Sequence, residues 1–476
     1  ALVLTALLAC ASLVAAQTWS IDATAPIAKV SQDLFGIFFE EINHAGVGGL
    51  YNEQINNANF ETLIDDYAPW TQFPQSSGLN VLLSLSQEVP LNAYNPTAFK
   101  ISSMGTGLVG VYNPGFWGIN LIGQSTFSVS FWAQSQTITA VNVSLMSHNL
   151  QTVYGQNTVK VGNSWSKVTT TISINSVNDD TAVFAITYST ATSMDEIFFD
   201  VFSVMPQGGW NGLQFIRPDL GQMVADMSPS FVRFPGGCYV EGDRLSDRFN
   251  WKRSVGPIEN RAGHWNLWGY YSEDGLGMFE YFSFVEKLRD AYGNPTRVIW
   301  VINTGVAHDD SIPTVNIGQW IQDALDSIEF AIGDSSTKWG GLRASMGHAS
   351  PFRLDYLAIG NEDCGKPYYL ENYQAMFTAL KAAYPSINYI ANCDLTGQAP
   401  TEVYDYHVYQ NSGWFQGNQH TFDNANRTGA KIFNSEYAVT SGYGVSGNLN
   451  AALGEAAWMT GLERNGDIVV AASYAP

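Results

Sequence analysis

The feature that most constrains the fold is a series of apolar, strand-length segments that alternate with helical patterns over residues 230–476. Their apolar residues are nearly continuous, as expected for strands buried on both faces of a parallel sheet. One upstream segment brings the number of strands to eight, which predicts a (β/α)8 TIM barrel. The predicted strands are 34–40, 231–234, 297–303, 356–361, 388–392, 404–409, 431–436 and 468–474, with helices such as 278–292, 317–332, 370–383 and 450–464 between them.

Residues 68–205 interrupt this pattern. They are rich in Ser, Thr, Val and Asn, and apolar and polar residues alternate, as in the segment from Phe127 to Phe131. Such alternation predicts an antiparallel β-sandwich with one face of each sheet buried. We therefore expect the barrel to comprise residues 34–67 and 206–476, with the sandwich inserted after the first barrel strand. Residues 17–33 are expected to add the N-terminal strand of an accessory sandwich.

Residues 1–16 are an apolar run that ends in small residues, including Val14 and Ala16. The run is too short to span a membrane and is typical of a secretory signal peptide. The sequence thus predicts a secreted, extracellular protein. Two Asn-X-Ser/Thr sequons, at Asn142 and Asn426, would permit glycosylation on that route.

The charge balance bears on the binding partner. The chain has 22 Lys plus Arg against 43 Asp plus Glu, a net charge of −21, which disfavours nucleic acid and anionic membranes. Aromatic residues make up 13% of the chain, a content that suits sugar stacking as well as a large core. The cysteine spacings do not fit a zinc site, and neither a metal nor an organic cofactor is expected.

Two acids follow the ends of predicted strands on the same face of the barrel. Glu362 follows the fourth strand and Glu436 ends the seventh. Active sites of TIM barrels lie at the carboxyl ends of the strands, and glycosidic bond hydrolysis requires two carboxyl groups. Asn361 adds a carboxamide that could hold a sugar hydroxyl beside the acid. The sequence thus predicts that Glu362 and Glu436 are the two catalytic carboxyl groups of a glycosidase.

Several ordered motifs extend this prediction. They are Leu34-Phe-Gly-Ile-Phe-Phe-Glu-Glu-Ile-Asn-His-Ala45, Val232-Arg-Phe-Pro-Gly-Gly237, Tyr270-Tyr-Ser-Glu-Asp-Gly-Leu-Gly277, Ile359-Gly-Asn-Glu-Asp363, Tyr406-His-Val-Tyr409, Ser435-Glu-Tyr-Ala438 and Ser473-Tyr-Ala-Pro476. In this order they resemble glycoside hydrolase family 51, the α-L-arabinofuranosidases, most closely the fungal secreted branch. The resemblance implies an exo-acting retaining enzyme that removes terminal non-reducing α-L-arabinofuranosyl groups from arabinoxylan, arabinan and related hemicelluloses.

The same resemblance implies roles for the two acids. Glu362 is expected to be the acid/base and Glu436 the covalent nucleophile. We also expect an ionised Glu436 to raise the pKa of Glu362, so that Glu362 starts protonated.

The resemblance also assigns the walls of the sugar site. Glu40 is expected to grip sugar hydroxyls, and Cys238 lies in the loop that lines the sugar subsite. Trp268 is expected to be an aromatic wall, although Trp265 is a neighbouring alternative.

A last set of residues is expected to support the acids. Arg233 would orient a carboxylate through its rigid guanidinium fork. His407 and Tyr409 alternate along one strand and therefore share a face. Tyr409 is expected to hydrogen-bond the nucleophile, and His407 to hold Glu436 or the sugar.

The chain departs from the family pattern in two respects. The family carries a C-terminal β-sandwich that is not expected within residues 1–476, and Cys364 and Lys366 follow the expected acid/base where many relatives have an aromatic residue. Cys364 and Cys393 follow adjacent strands, which suggests a disulfide. The inserted domain resembles a carbohydrate-binding module, with Trp117, Trp132 and Trp165 as candidates for either a sugar platform or the core.

Two alternatives remain open at this point. An endo-xylanase or endo-glucanase would use the same barrel and the same acid pair, and a non-catalytic carbohydrate-binding protein could occupy the fold. The expected partner is a plant cell-wall polysaccharide or an arabino-oligosaccharide. The sequence leaves the oligomeric state undetermined.

Overall fold

A computed structural model describes residues 20, 24, 29–62, 66–74, 79–190, 194–445 and 447–475. The predicted signal peptide lies outside these residues, as does most of the predicted 17–33 strand, and residues 29–33 form no strand. The described strands are β1 (Ile37–Phe38), β2 (Thr71–Gln72), β3 (Asn80–Ser86), β4 (Ala98–Met104), β5 (Gly107–Asn113), β6 (Thr126–Gln134), β7 (Ala140–Met146), β8 (Val153–Lys160), β9 (Ser166–Ser173), β10 (Val183–Thr190), β11 (Asp195–Pro206), β12 (Phe231–Phe234), β13 (His264–Asn266), β14 (Tyr270–Ser272), β15 (Arg297–Ile302), β16 (Tyr356–Ile359), β17 (Asn388–Ala391), β18 (Val403–Asn411), β19 (Lys431–Ser441) and β20 (Val469–Ala472).

The described part of the chain also contains eight α-helices, and no helix there is long and apolar enough to cross a membrane. They are α1 (Pro218–Asp226), α2 (Cys238–Glu241), α3 (Met278–Lys287), α4 (Gly318–Ile332), α5 (Lys338–Ser345), α6 (Tyr369–Ala383), α7 (Ser412–Gly417) and α8 (Leu449–Arg464). Shorter helical turns occupy Gly46–Leu50, Trp210–Gly212, Trp251–Arg253, Ile258–Asn260, Thr314–Asn316 and Gly442–Gly444.

Eight parallel strands form the barrel in the order β1-β12-β15-β16-β17-β18-β19-β20. The ring closes between its first and last segments, where the amide of Gly36 donates to the carbonyl of Ala472 at 3.2 Å. The predicted TIM barrel with an added β domain is confirmed. Its strands differ from the predicted ones mainly in length: β1 is shorter, whereas β18 and β19 continue past the predicted ends.

The apolar runs are continuous because the barrel strands are buried on both sides. Phe231, Ile299, Val301 and Phe433 are among the residues that fill the interior. On the outside, helix α4 buries Ala324, Ser327, Ile328 and Ala331, and this three- and four-residue spacing places one helix face against the sheet.

Helix α3 ends at Lys287, five residues before the predicted end at Tyr292. The Asp290 side chain accepts hydrogen bonds from the backbone amides of Tyr292 and Asn294, each at 2.8 Å. Local bonding of this kind competes with the helical ladder and favours a turn. The prediction that this helix continues to Tyr292 was therefore wrong.

The second unit consists of two five-stranded antiparallel sheets, with strand orders β2-β5-β10-β7-β8 and β3-β4-β11-β6-β9. In β6, Phe127, Val129 and Phe131 are buried between the sheets, and the intervening residues are more exposed. The unit is inserted in the loop between β1 and α1. Loops that follow barrel strands lie at the catalytic face, so the insertion joins the barrel on that side.

The loops after β16 and β17 are joined by a disulfide between Cys364 and Cys393, as the sequence suggested, with the two Cα atoms 6.2 Å apart. Cys238 has a free thiol.

We expect the double variant Cys364→Ser/Cys393→Ser to lose about 3 kcal/mol of unfolding free energy, because a cross-link that spans 29 residues restricts the unfolded chain. Urea unfolding of both proteins measures this difference. Labelling of unfolded, unreduced protein provides a direct check, since alkylation of Cys364 and Cys393 would contradict the bond.

Candidate active site

The side chains of Glu362 and Glu436 meet across the barrel mouth. Glu362 lies three residues beyond β16, and Glu436 lies within β19. Between them, Nδ1 of His407 is 2.8 Å from Oε1 of Glu362 and 3.5 Å from Oε2 of Glu436. One imidazole nitrogen of His407 and one carboxylate oxygen from each acid lie within 4.8 Å of one another. The structure thus brings together the two acids that the sequence singled out.

The backbone around Glu362 is unusual. Glu362 itself has φ +48°, a left-handed conformation that side-chain-bearing residues rarely adopt, and Gly360 has φ +89°. A Cβ on Gly360 would lie 2.5 Å from Oδ2 of Asp363. Strain of this kind occurs where the surrounding structure fixes a functional side chain. The turn after β16 is therefore shaped to aim Glu362 across the mouth.

A fully buried Arg233 organises the centre of the site. Its Nη1 donates to Oε1 of Glu436 at 3.0 Å, and its Nη2 donates to Oδ1 of Asn361 at 2.6 Å. Nδ2 of Asn361 in turn donates to Glu241 at 2.7 Å. Both ends of the Asn361 carboxamide are thus bonded to protein groups, and this side chain links Arg233 to Glu241.

The glycines of the Pro-Gly-Gly motif make room for these groups. A Cβ on Gly237 would lie 2.8 Å from Oε1 of Glu436, and one on Gly236 would lie 2.6 Å from Cγ of Glu40. Only a residue without a side chain permits so close an approach of the backbone to both acids.

Three residues of β18 face the site from alternate positions. The hydroxyl of Tyr409 donates to Oε2 of Glu436 at 2.5 Å. Nε2 of His407 lies 3.1 Å from Asp405 and 2.8 Å from Oγ of Ser435. The sequence analysis missed Asp405 and Ser435. The spacing of Asp405 two residues before His407 was a signal that could have found it.

The charges around His407 determine where the proton of the site resides. Although burial opposes it, the negative charges of Asp405 and Glu436 raise the pKa of His407 to about 10. The hydrogen bond from His407, together with its positive charge, lowers the pKa of Glu362. The expectation of a raised Glu362 pKa was therefore wrong, because the neighbouring imidazolium and the charge of Arg233 outweigh burial and the negative charge of Asp405.

Glu40 and Trp268 form one side of the site. Oε1 of Glu40 accepts hydrogen bonds from the amide of Tyr239 at 2.7 Å and from Nε1 of Trp268 at 3.2 Å. Burial raises the pKa of Glu40 to about 7. Trp268 is 40% exposed, and Sγ of Cys238 lies 3.9 Å from Oε2 of Glu362. It is thus Trp268, rather than Trp265, that contacts Glu40.

A second polar cluster adjoins the turn that carries Glu362. Nζ of Lys366 lies 2.6 Å from Oε1 of Glu241, which is itself buried. Cys238, Glu241 and His308 could offer metal-ligand atoms within 4.8 Å of one another. Lys366 already supplies a positive charge to that carboxylate, so the cluster is better explained as an ion-pair network.

The remaining candidates lie outside the barrel mouth. Of the tryptophans, Trp117 is 70% exposed, whereas Trp132 and Trp165 are partly buried. Asn426 is exposed, and Asn142 lies in β7, where its Oδ1 accepts a bond from Thr158 at 2.6 Å.

Comparisons with known proteins agree on one family. A family model described as "Alpha-L-arabinofuranosidase 1 domain" matches residues 223–427. Alpha-L-arabinofuranosidase 2 of Arabidopsis thaliana is 41% identical over 94% of this chain and 67% of its own length. The probable alpha-L-arabinofuranosidase A of Aspergillus flavus is 31% identical over 93% of this chain and 71% of its own. The chain thus spans about two thirds of the length of these relatives.

A solved structure agrees with this assignment. A structure described as the arabinose-bound MgGH51 α-L-arabinofuranosidase superposes with a TM-score of 0.85 and 32% sequence identity, over 95% of this chain and 76% of that one. The chain belongs to the α-L-arabinofuranosidases of glycoside hydrolase family 51 and is a glycoside hydrolase of that type.

Proposed function

We propose that the protein is a retaining, exo-acting enzyme that removes terminal non-reducing α-L-arabinofuranosyl groups from arabinoxylan, arabinan and related hemicelluloses. The observation that carries the proposal is the close approach of Glu362 and Glu436. One carboxylate oxygen of Glu362 lies within 4.8 Å of one carboxylate oxygen of Glu436. Retaining enzymes hold their two carboxyl groups about 5 Å apart, whereas inverting enzymes leave room for a water between them.

In the first step, Glu436 attacks the anomeric carbon of the arabinofuranose while Glu362 protonates the departing glycosidic oxygen. Arg233 and Tyr409 bind different oxygens of Glu436 and so fix the direction of attack. When the arabinosyl ester forms, the negative charge of Glu436 disappears. Glu362 then accepts a proton from water, which attacks the ester and releases arabinose.

The proton for the first step is shared between Glu362 and His407, 2.8 Å apart. Because the pKa of His407 is raised to about 10 and that of Glu362 is lowered, the proton rests mainly on the imidazole near neutral pH. As the glycosidic oxygen gains negative charge, the proton passes to it through Glu362. Asp405 holds the imidazole from its other nitrogen and balances its charge.

Glu40 and Trp268 are proposed to bind the sugar ring. Both donors that meet Glu40 bond to Oε1, which leaves Oε2 for a sugar hydroxyl. The partly exposed indole of Trp268 offers an apolar face beside it. Cys238 closes the pocket on the Glu362 side. We expect these walls to restrict the site to a single terminal sugar.

The proposal extends to location. Residues 1–16 have the composition of a signal peptide, and secretion would bring the enzyme to cell-wall polysaccharide. Expression in a eukaryotic host, followed by N-terminal sequencing of the secreted protein, tests this. A secreted protein that begins near Gln17 supports it, and retention inside the cell contradicts it.

We expect Glu436→Gln to lower kcat on 4-nitrophenyl α-L-arabinofuranoside on the order of 10⁴-fold or more, because the nucleophile is lost. Glu362→Gln should lower kcat on arabinoxylan by about 10²- to 10⁴-fold, and less on the nitrophenyl substrate, whose leaving group needs little protonation. Steady-state kinetics on both substrates measures these effects.

Glu371→Gln is the matched control, since Glu371 is an exposed acid at the start of α6. It should retain full activity. Full activity of Glu436→Gln would refute the mechanism. Internal cleavage of unsubstituted xylan by the intact protein would favour an endo-xylanase instead.

We expect His407→Gln to move the alkaline limb of the kcat/KM profile to lower pH by about one unit or more. In the intact protein the shared proton is lost only as pH rises through the raised pKa of His407. Without the imidazole, the proton is held by a carboxyl group alone, whose pKa lies far lower. Measurement of kcat/KM from about pH 4 to about pH 11 covers the limb of both proteins. His420→Gln serves as the control, because His420 is an exposed histidine paired with Asp423. An unchanged limb would exclude proton sharing.

A further inference from the structure

A groove of about 340 Å³ lies where the β-sandwich meets the barrel. The sandwich contributes residues of the 117–124 loop and Asp180, and the barrel contributes Gln54 and the start of α1 at Arg217 and Asp219. We call it the junction groove. Because helices of the barrel begin at the catalytic face, the start of α1 places the junction groove on the same side as Glu362 and Glu436.

Trp117 forms one wall of the junction groove and is 70% exposed. Its Nε1 donates to the carbonyl of Gly48 at 3.1 Å, so the indole is held in place although most of its surface faces solvent. An exposed indole fixed in this way offers an apolar face to a ligand at little cost in conformational entropy.

The loop that carries Trp117 is rigid as well. Gly115 has φ +69° and Gly118 has φ +95°, and a Cβ at these positions would lie 2.6 Å from the carbonyl of Gln54 and 2.7 Å from that of Asp180. The loop is therefore packed closely against both neighbouring segments. The preceding Phe116 packs under Gly48, where a Cβ would lie 2.7 Å from its ring.

The rest of the lining indicates a neutral, hydroxyl-rich ligand. Asn120, Gln124 and Gln54 bring carboxamide side chains, which both donate and accept hydrogen bonds. Arg217 is the cation among the described lining residues, and Asp219 binds it through two contacts, at 3.1 and 2.6 Å. Asp180 adds a further acid. The charge of the Arg217 guanidinium is therefore already neutralised, and the nearby Asp180 carboxylate would repel an anion. The groove thus disfavours an anionic ligand.

Packed aromatic rings link the junction groove to the wall of the proposed sugar pocket. The ring of His44 lies 6.0 Å from that of Trp117 and 4.0 Å from that of Tyr270. Tyr270 donates to Glu41 at 3.0 Å, next in sequence to Glu40 of the pocket wall. Trp117 is thus connected through two aromatic rings to the residues that flank the catalytic acids.

We propose that the junction groove binds a pyranose residue of the polysaccharide main chain, stacked on Trp117, while an arabinofuranosyl side group occupies the pocket. This inference rests on the proposed function, since it assigns the rest of the substrate to a surface outside the pocket. A pyranose ring matches an indole face on its apolar side, and its hydroxyls match the carboxamides around the groove.

The test compares Trp117→Ala with Trp165→Ala. Trp165 is a matched control: it lies in the same sandwich, is partly buried and donates its Nε1 to the carbonyl of Val89 at 3.2 Å, but does not line the groove. We expect Trp117→Ala to raise the ratio of KM on arabinoxylan to KM on 4-nitrophenyl α-L-arabinofuranoside by about five- to tenfold. Trp165→Ala should leave this ratio unchanged.

Calorimetric titration with xylohexaose supplies a measurement that does not depend on turnover. In the inactive Glu436→Gln background, we expect adding Trp117→Ala to weaken xylohexaose binding by about five- to tenfold. Adding Trp165→Ala should leave the affinity for xylohexaose unchanged. Gln124→Ala provides a second groove variant if Trp117→Ala fails to fold. Inactivity of the intact enzyme on the nitrophenyl arabinoside would refute the proposed function alone, because the titration still decides the groove. If both tryptophan variants have the same KM ratio and the same affinity for xylohexaose, the proposal that the junction groove binds the main chain is wrong.

Discussion

The guanidinium of Arg233, fully buried at the mouth of the barrel, is the group around which the catalytic face is assembled. Removing such a cation from water costs several kcal/mol unless anions and hydrogen-bond acceptors surround it. Glu436 and Asn361 bond to it directly, Asp405 lies 3.9 Å away, and Phe38 presents its ring at 4.7 Å. These four groups come from four different parts of the barrel. The requirement to satisfy one buried charge therefore helps to position both segments that carry the proposed catalytic acids.

The same cluster bears on the proposed mechanism, in which a carboxyl group with a lowered pKa serves as the acid. His407 bonds to both Glu362 and Asp405, and we propose that it carries the proton that Glu362 delivers. Although burial opposes it, the positive charges of His407 and Arg233 hold the pKa of Asp405 below its ordinary value. Two positively charged groups, His407 and Arg233, thus lie among three carboxyl groups, those of Glu362, Asp405 and Glu436. This balance allows several carboxyl groups to share a small space without all of them taking up protons.

The inserted sandwich does more than extend the surface. Because it enters the chain directly after β1, its 114–118 loop packs on the segment that follows Glu40 and Glu41, and Phe116 lies under Gly48. The accessory unit is in this way fixed against the catalytic face by close backbone contacts. A substrate longer than one sugar would meet both units, which is the geometric basis for assigning the polymer chain to their junction.

The sequence by itself determined the barrel, the inserted β unit and the two acids, because continuous apolar runs and polar residues at strand ends are local patterns that burial imposes on each segment. It also paired Tyr409 with Glu436 and Cys364 with Cys393, since strand order alone brings them near. Tertiary structure alone decided that His407 bonds chiefly to Glu362, that Asp405 and Ser435 support it, and that Trp117 rather than Trp132 or Trp165 faces solvent. A pKa or an exposed face depends on charges and surfaces contributed by segments far apart in the chain, and these distances are set only when the barrel closes.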